Sequence, residues 1–424
     1  MKIMVVGGGG REHAIIKKLK ESPKVEKIYA LPGNGGISQD AECVAIGAKD
    51  IEAIKKFASE NKIDFAVVAP DDPLVLGAVD ALHEVGVKCF GPDKKAAIIE
   101  GSKVFSKNLM KKYSIPTAGY EVFSEPEKAL EYLENSSYPT VIKADGLALG
   151  KGVIICPDFE TAKDGINSIM NDKIFGDSGN NIVVEEFLTG PEVSVLCFTD
   201  GKTIAPMVSS MDHKRAHDND EGLNTGGMGT IAPNPCYTED VAKECMEKIF
   251  IPTVEAMNKE GRTFKGCLYF GLMLTPNGPK VIEYNCRFGD PETQVVLPLL
   301  KTDLLEVMMA VEDEKLSDIN VEFSKGAACC VVMASKGYPQ SYDKGFEVTE
   351  EELSDNAQVF HAGTALKDGK IVTSGGRVLG VTATADTLED AISEAYKAVG
   401  KVHFDNAFYR KDIGKKALAI KNNQ

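Results

Sequence analysis

The first hundred residues alternate strand-sized apolar runs with helix-sized amphipathic ones, and nothing else in the chain constrains the fold as tightly. Lys2 to Val6, Val25 to Leu31, Phe65 to Ala69 and Val87 to Phe90 read as buried strands. Arg11 to Lys20, Ile51 to Asn61 and Leu74 to Val85 read as the helices between them. Alternation at this spacing predicts βαβ units: a parallel sheet with helices on both faces. The turns that follow the strands, Gly7 to Gly10, Pro32-Gly33-Asn34 and Pro70 to Pro73, then lie at the carboxyl edge. Doubly wound sheets bind their ligands at that edge.

Beyond residue 91 the pattern changes. A helix is expected from Pro92 to Tyr113, stopped by Pro116. Thr140 to Ala144, Gly152 to Cys156 and Asn181 to Glu186 then read as strands of a small α+β unit. Cys267 to Leu274 and Lys280 to Tyr284 form a hairpin whose tip, Pro276-Asn277-Gly278-Pro279, is made of turn residues. Strands return at Ala327 to Met333, Gln358 to His361 and Gly376 to Thr382, followed by a helix over Thr387 to Val399. The expected class is therefore a multidomain protein, α/β and α+β. A doubly wound parallel sheet occupies residues 1–102, a central region 103–322 contains the small unit at about 118–192, and a small α+β domain spans 323–424.

Composition narrows the partners. Forty-eight basic against sixty-three acidic side chains leave a net charge of -15, which disfavours nucleic acid and anionic membranes. With no Trp and few aromatics there is no stacking platform for single strands. The longest apolar run, Ala327 to Ala334, falls far short of the ~20 residues of a membrane span. Ile3 to Val6 is too short for a secretory core. Ten cysteines without any C-x-x-C spacing read as reduced thiols, and the expected location is the cytoplasm.

Several stretches carry chemistry. The opening glycines lack the third glycine of a dinucleotide fingerprint, and no acidic residue ends the second strand, so NAD is disfavoured. The start of a helix with Arg11 and His13 suits a phosphate or carboxylate, or else the loop is only a tight turn. Gly146-Leu147-Ala148-Leu149-Gly150-Lys151-Gly152 is one residue short of a Walker loop and lies between two strands. Folded over a triphosphate, its amides and Lys151 would meet phosphates, with Lys143 on the leading strand reaching the same charge; otherwise it is a solvated turn. Glu185-Glu186-Phe187-Leu188 leaves a strand, with Glu192 just beyond. Such carboxylates accept an adenine amino group and ribose hydroxyls, or simply face water. Glu283 and Asn285 alternate onto one strand face, as two hard oxygen ligands for a cation should, and Arg287 follows on that side. Asp212-His213-Lys214-Arg215 and Asn224 to Gly229 frame a polar, glycine-rich loop suited to an anion. By composition alone, Arg410-Lys411-Asp412 reads as a solvated charge run.

Together these motifs resemble the ATP-grasp superfamily and, within it, the phosphoribosylamine–glycine ligase family. The resemblance covers nearly the whole chain. It rests on Gly8 to Ala14, Pro32-Gly33-Asn34, Gly101-Ser102-Lys103, Lys143 to Val153, Asp212 to Arg215, Asn224 to Gly229 and Asn285 to Gln294. Phe360 to Thr364, Gly375 to Val378 and Arg410 to Gly414 agree as well. Asp71 stands where the family has Glu, and Leu149 and Leu223 depart from its usual Ala or Gly and Pro.

The resemblance implies an ATP-dependent ligation of glycine to 5-phosphoribosylamine through glycyl phosphate, the second step of de novo purine biosynthesis. It implies ATP with Mg2+ or Mn2+, the metal on Glu283 and Asn285. ATP would be held by Lys103, Lys143, Gly146, Gly150, Lys151, Gly152, Glu185, Glu186, Phe187, Leu188 and Glu192. Arg287, Lys151, Asp212 and Lys214 form the implied catalytic set. Gly9, Gly10, Arg11, Glu12, His13, Asn34, Asp71, Arg215 and Asp290 join Asp212, Lys214 and Arg287 around the substrates. The partners implied are small molecules, and the state a monomer or weak dimer. Another ATP-grasp carboxylate–amine ligase or carboxylase, or a nucleotide-binding protein without catalysis, remains the alternative.

Overall fold

The computed structural model describes residues 1–148 and 152–421. Its first unit is a five-stranded parallel sheet ordered Glu42–Cys43, Lys27–Pro32, Lys2–Gly7, Phe65–Val68, Lys88–Phe90. Ile3 to Val6 are wholly buried, with Met4 and Val6 in one core and Ile3 and Val5 in the other. A central strand apolar on both faces is what a sheet covered on both sides requires.

Two expected helices are each broken in two. Leu74 to Val85 splits into Asp71–Leu76 and Ala78–Glu84, because Gly77 between them is left-handed with φ +95°. The Pro92 to Tyr113 stretch becomes Lys94–Gly101 and Lys103–Lys112. Ser102 is extended at the join, and its hydroxyl accepts the Phe105 N–H at 3.0 Å, capping the second helix. This break turns Lys103 into the first residue of a helix.

The small unit is a four-stranded antiparallel sheet ordered Tyr120–Phe123, Ile182–Glu186, Thr140–Ala144, Val153–Cys156. Ile142, Ala144, Ile182 and Val184 pack under the helices Pro126–Glu134 and Phe159–Ile166. The alternation of a strand therefore turns Lys143 and Glu185 to the opposite, open face. A second antiparallel sheet, ordered Ile204–Pro206, Glu192–Thr199, Gly266–Thr275, Gly278–Asn285, lies across from it. Lys143 Nζ reaches the Ile282 carbonyl at 3.1 Å, which joins the two sheets.

The last sheet is not built from the C-terminal third alone. Met211–Asp212 and Gly229–Ala232 enter it beside Ala327–Ser335, Arg377–Ala385 and Ala357–His361. The loop between the first two strands is thus anchored at both ends on this sheet. Its hairpin, Arg215–His217 with Glu221–Asn224, is held by Arg410, which is 1% exposed. The Arg410 guanidinium grips both Asp412 oxygens at 2.8 and 2.9 Å, Asp220 at 2.9 Å and the Arg215 carbonyl at 3.1 Å. Of the charge run expected to be solvated, Lys411 is exposed but Arg410 is a buried hub, because its partners include a distant hairpin. Among the described residues no helix is long and apolar enough to cross a membrane.

Two buried histidines clip units together, each as one tautomer. His13 Nδ1 accepts the His361 N–H at 2.8 Å while its Nε2 bonds Asp40 at 2.9 Å. His213 Nε2 accepts the Gly414 N–H at 3.1 Å and Nδ1 donates to the Gly229 carbonyl at 3.1 Å. A second proton on either ring would evict a backbone N–H. Burial lowers both from 6.5 to about 4. An unfolded histidine binds a proton that the folded one refuses, so this stability is complete above pH 6.5 and is lost as pH falls toward 4. Two protons correspond to a slope of up to ~2.7 kcal/mol per pH unit in that window. Urea midpoints at pH 7.5 and 5.0 measure it; equal midpoints would mean the rings are not held neutral.

Candidate functional site

Glu283 is the centre of the site. The strand Gly278–Asn285 pairs Gly271 with Glu283 and Tyr269 with Asn285, so the carboxylate and the amide share one face. Burial alone would push the Glu283 carboxyl up, but Lys214, Lys143, Lys103 and Arg287 together hold it below the usual range. Those four cations come from four different segments. Lys103 starts its helix and gives Nζ to the Gly146 carbonyl at 3.0 Å. Lys143 comes from the open face of the small sheet and pairs with Glu185 Oε2 at 3.0 Å. Lys214 pairs with Glu192 at 3.1 Å. Burial lowers the Lys214 amine, but Glu192, Glu283 and Asp212 raise it above its ordinary range.

Arg287 is aimed by a residue that sequence reasoning missed. Its NH2 donates to Glu100 Oε1 at 3.0 Å and to Asn285 Oδ1 at 3.1 Å, while Nε is buried without a partner. Glu100 also accepts the Cys286 N–H at 2.7 Å, and Asp71 contributes its charge to the same group. NH1 also donates to the Phe288 carbonyl at 3.2 Å, and the N–H groups that remain suit a bound carboxylate. Glu100 ends a helix that was expected to run on, so nothing in its local sequence set it apart.

Asp212 sits beside Glu292, and burial together with that neighbour pushes its carboxyl well above the ordinary range. Gly227, with φ +119°, leaves the room: a Cβ there would lie 2.7 Å from Asp212 Oδ1. The Tyr269 hydroxyl donates to Glu292 Oε1 at 3.0 Å and meets Ser194 at 2.8 Å. Asp290 accepts Gln294 Nε2 at 2.8 Å and the Arg11 N–H at 3.4 Å, bringing the Gly9-Gly10 turn against this edge. Gln294 Oε1 is buried without a partner, and Arg377 ties the Gly226 and Asp290 carbonyls together at 2.7 and 2.9 Å. Glu292, Gln294 and Arg377 belong to stretches singled out in the sequence but were not picked as site residues.

Four of the expected residues are engaged by the protein itself. Glu12 folds back on its own turn, accepting the Gly9 N–H at 2.6 Å and Arg11 Nε at 2.7 Å, so it caps a helix rather than facing substrate. His13 has both ring nitrogens occupied by protein. Asn34 gives its amide to the Gly8 and His361 carbonyls at 2.9 and 2.8 Å and takes the Ile37 N–H, which leaves it no group for a ligand. Arg215 folds onto the Gly222 carbonyl of its own hairpin at 2.8 Å, apart from Lys214. In each case the polar side chain is engaged by a protein partner.

The remaining expectations fall along the cleft. Gly146 donates to the Ser178 carbonyl at 3.3 Å, and the Gly152 carbonyl accepts the Ala144 N–H at 2.8 Å, so the glycine-rich loop is rooted on two adjacent strands. Gly150 and Lys151 lie outside the described residues. Glu185 is buried, whereas Glu186 is exposed and lies 3.5 Å from Lys280. Phe187 and Leu188 follow as half-buried chain beyond the strand, and Glu192 lies exposed at the start of the next one. Among the described residues no cluster of three His, Cys, Asp or Glu could hold a metal. One carboxylate and one amide oxygen remain as the donor set, which fits a hard divalent cation that completes its shell with phosphate and water.

Three family models match the chain: the phosphoribosylglycinamide synthetase N domain over residues 1–100, its ATP-grasp (A) domain over 101–293 and its C domain over 328–416. The chain is 53% identical over 413 residues to the phosphoribosylamine–glycine ligase of Caldanaerobacter subterraneus subsp. tengcongensis, covering 97% of this chain and 99% of that one. The crystal structure of the phosphoribosylamine–glycine ligase of Thermotoga maritima is similar at TM-score 0.86 and 36% identity, over 97% and 100% of the two chains. The biotin carboxylase domain of Hydrogenobacter thermophilus 2-oxoglutarate carboxylase aligns at TM-score 0.74 and 16% identity, over 96% and 91%. That last likeness is one of fold alone.

Proposed function

The chain belongs to the phosphoribosylglycinamide synthetase family, and from that premise we propose how its residues divide the work. It is an ATP-grasp ligase that joins glycine to 5-phosphoribosylamine at the cost of ATP, giving glycinamide ribonucleotide in the second step of purine biosynthesis. It uses ATP and a divalent metal. The observation that carries the assignment of roles is the ring of Lys103, Lys143, Lys214 and Arg287 around Glu283.

A carboxylate is a poor acyl donor until it is phosphorylated, and phosphoryl transfer demands positioning and charge neutralisation. Glycine's carboxylate lies on Arg287, oriented through Glu100, and attacks the γ-phosphate to give glycyl phosphate and ADP. Lys103 and Lys143, with Lys151 and the amides of Gly150 and Gly152, hold the phosphates, and Gly146 anchors the base of that loop. Glu283 and Asn285 hold magnesium, or manganese, whose charge offsets that of the phosphates when bound. Glu185, Glu186 and Glu192 hold adenosine, with the chain at Phe187 and Leu188 along the base. The amine of phosphoribosylamine then attacks the acyl carbon and phosphate leaves. Asp212, whose raised carboxyl sits beside Lys214, takes the proton that the amine gives up. Gly9, Gly10, the Arg11 amide, Asp71 and Asp290 line the end where phosphoribosylamine binds.

The protein is proposed to act in the cytoplasm as a monomer or weak dimer, with units at 1–102, 103–322 and 323–424. A coupled ADP-release assay with each substrate omitted in turn tests the reading. ADP should form only when ATP, glycine and phosphoribosylamine are all present. ADP formed with bicarbonate in place of glycine, or none with the full set, would overturn it.

A further inference from the structure

Lys107 lies four residues beyond Lys103 on the helix Lys103–Lys112, hence on the same face, yet it is only 2% exposed. A lysine so placed needs strong partners. Its Nζ donates to Thr117 Oγ1 at 2.8 Å and lies 3.3 Å from Glu185 Oε2. Thr117 is itself fixed, its hydroxyl donating to the Val281 carbonyl at 2.7 Å. The ammonium also stands 5.6 Å from the ring of Tyr120, the residue directly across the sheet from Glu185.

Glu185 is held one-sidedly. Lys107 and Lys143 both meet Oε2, at 3.3 and 3.0 Å, while Oε1 is buried and has no partner among the described residues. A buried acceptor left open between two filled positions calls for a donor brought by the ligand. The N–H hydrogens of an exocyclic amino group on a purine supply one; a purine carbonyl at that position would set two acceptors against each other.

We propose that Lys107 is a positioning residue for nucleotide choice: anchored on Thr117, it clamps Glu185 so that Oε1 faces the base and selects an amino-purine over an oxo-purine. The inference rests on the reading that Glu185 receives adenosine. Lys143 alone cannot do this work, because it also bonds the Ile282 carbonyl and belongs to the phosphate end of the cleft.

Steady-state kinetics with ATP and GTP on the full-length wild type, Lys107→Met, Thr117→Val and Glu185→Gln tests the proposal, with thermal melting as the check on folding. Lys107→Met should raise KM for ATP about tenfold, change kcat less than about twofold and cut the ATP-to-GTP ratio of kcat/KM by about tenfold. A residue that merely fills the core would not move base preference. Should Lys107→Met fail to fold, Thr117→Val keeps the lysine, removes its anchor together with the hydrogen bond to the Val281 carbonyl, and should shift KM and the ratio in the same direction. Unchanged KM and base preference in a folded variant overturn the role of Lys107. If Glu185→Gln shifts the ratio while neither Lys107→Met nor Thr117→Val does, the Lys107 role alone falls. If Glu185→Gln also leaves the ratio at the wild-type value, the adenosine reading fails and this inference fails with it.

Discussion

Glu283→Gln is expected to lower turnover by about a hundredfold or more while the protein stays folded. The substitution keeps volume and one oxygen donor but removes a negative charge that Lys103, Lys143, Lys214 and Arg287 jointly stabilise. A neutral amide there weakens the hold on a divalent cation, and the four like charges repel one another without their common partner. Steady-state ADP release at saturating metal measures the loss, and thermal melting separates it from unfolding. Turnover near the wild-type value at saturating magnesium would sink the assignment of Glu283 to the metal.

Glycine carrying heavy oxygen in its carboxylate should deliver one labelled oxygen to inorganic phosphate for every amide formed. Activation by phosphorylation makes this obligatory, since the carboxylate oxygen that attacks the γ-phosphate departs with it when the amine displaces phosphate. An enzyme that adenylates its acid would place the label in AMP instead. Mass spectrometry or the phosphorus NMR isotope shift reads the outcome directly. Unlabelled phosphate from a reaction that does make the amide would refute the glycyl phosphate route, and with it the roles given to Arg287 and Lys151.

Some of this was legible before any coordinates. Lys2–Gly7 and the hairpin Gly266–Thr275 with Gly278–Asn285 declare themselves through apolar runs and turn residues. The pairing of Glu283 with Asn285 on one face follows from the two-residue period of a strand. Glu100 and Lys107 were not legible. Both lie within the stretch expected as one unbroken helix, where nothing in the local pattern marks either residue. Arg410 misled for the same reason, since a charged side chain shows its burial only when its partners are known.

The sequence by itself determined the parallel first sheet, the glycine-rich hairpin and the placing of Glu283 and Asn285 on one face of their strand. These depend on periodicity and turn chemistry, which act over a few residues. Only the tertiary structure decided which polar groups face the cleft and which are consumed by the protein. His13, Asn34 and Arg215 turned inward or onto their own loop; Glu100, Lys107 and Arg377 came to lie against Arg287, Glu185 and the Asp290 carbonyl. The reason is physical. A buried hydrogen-bonding group must find a partner, that partner lay up to 348 residues away for His13, and no local pattern records so distant a match.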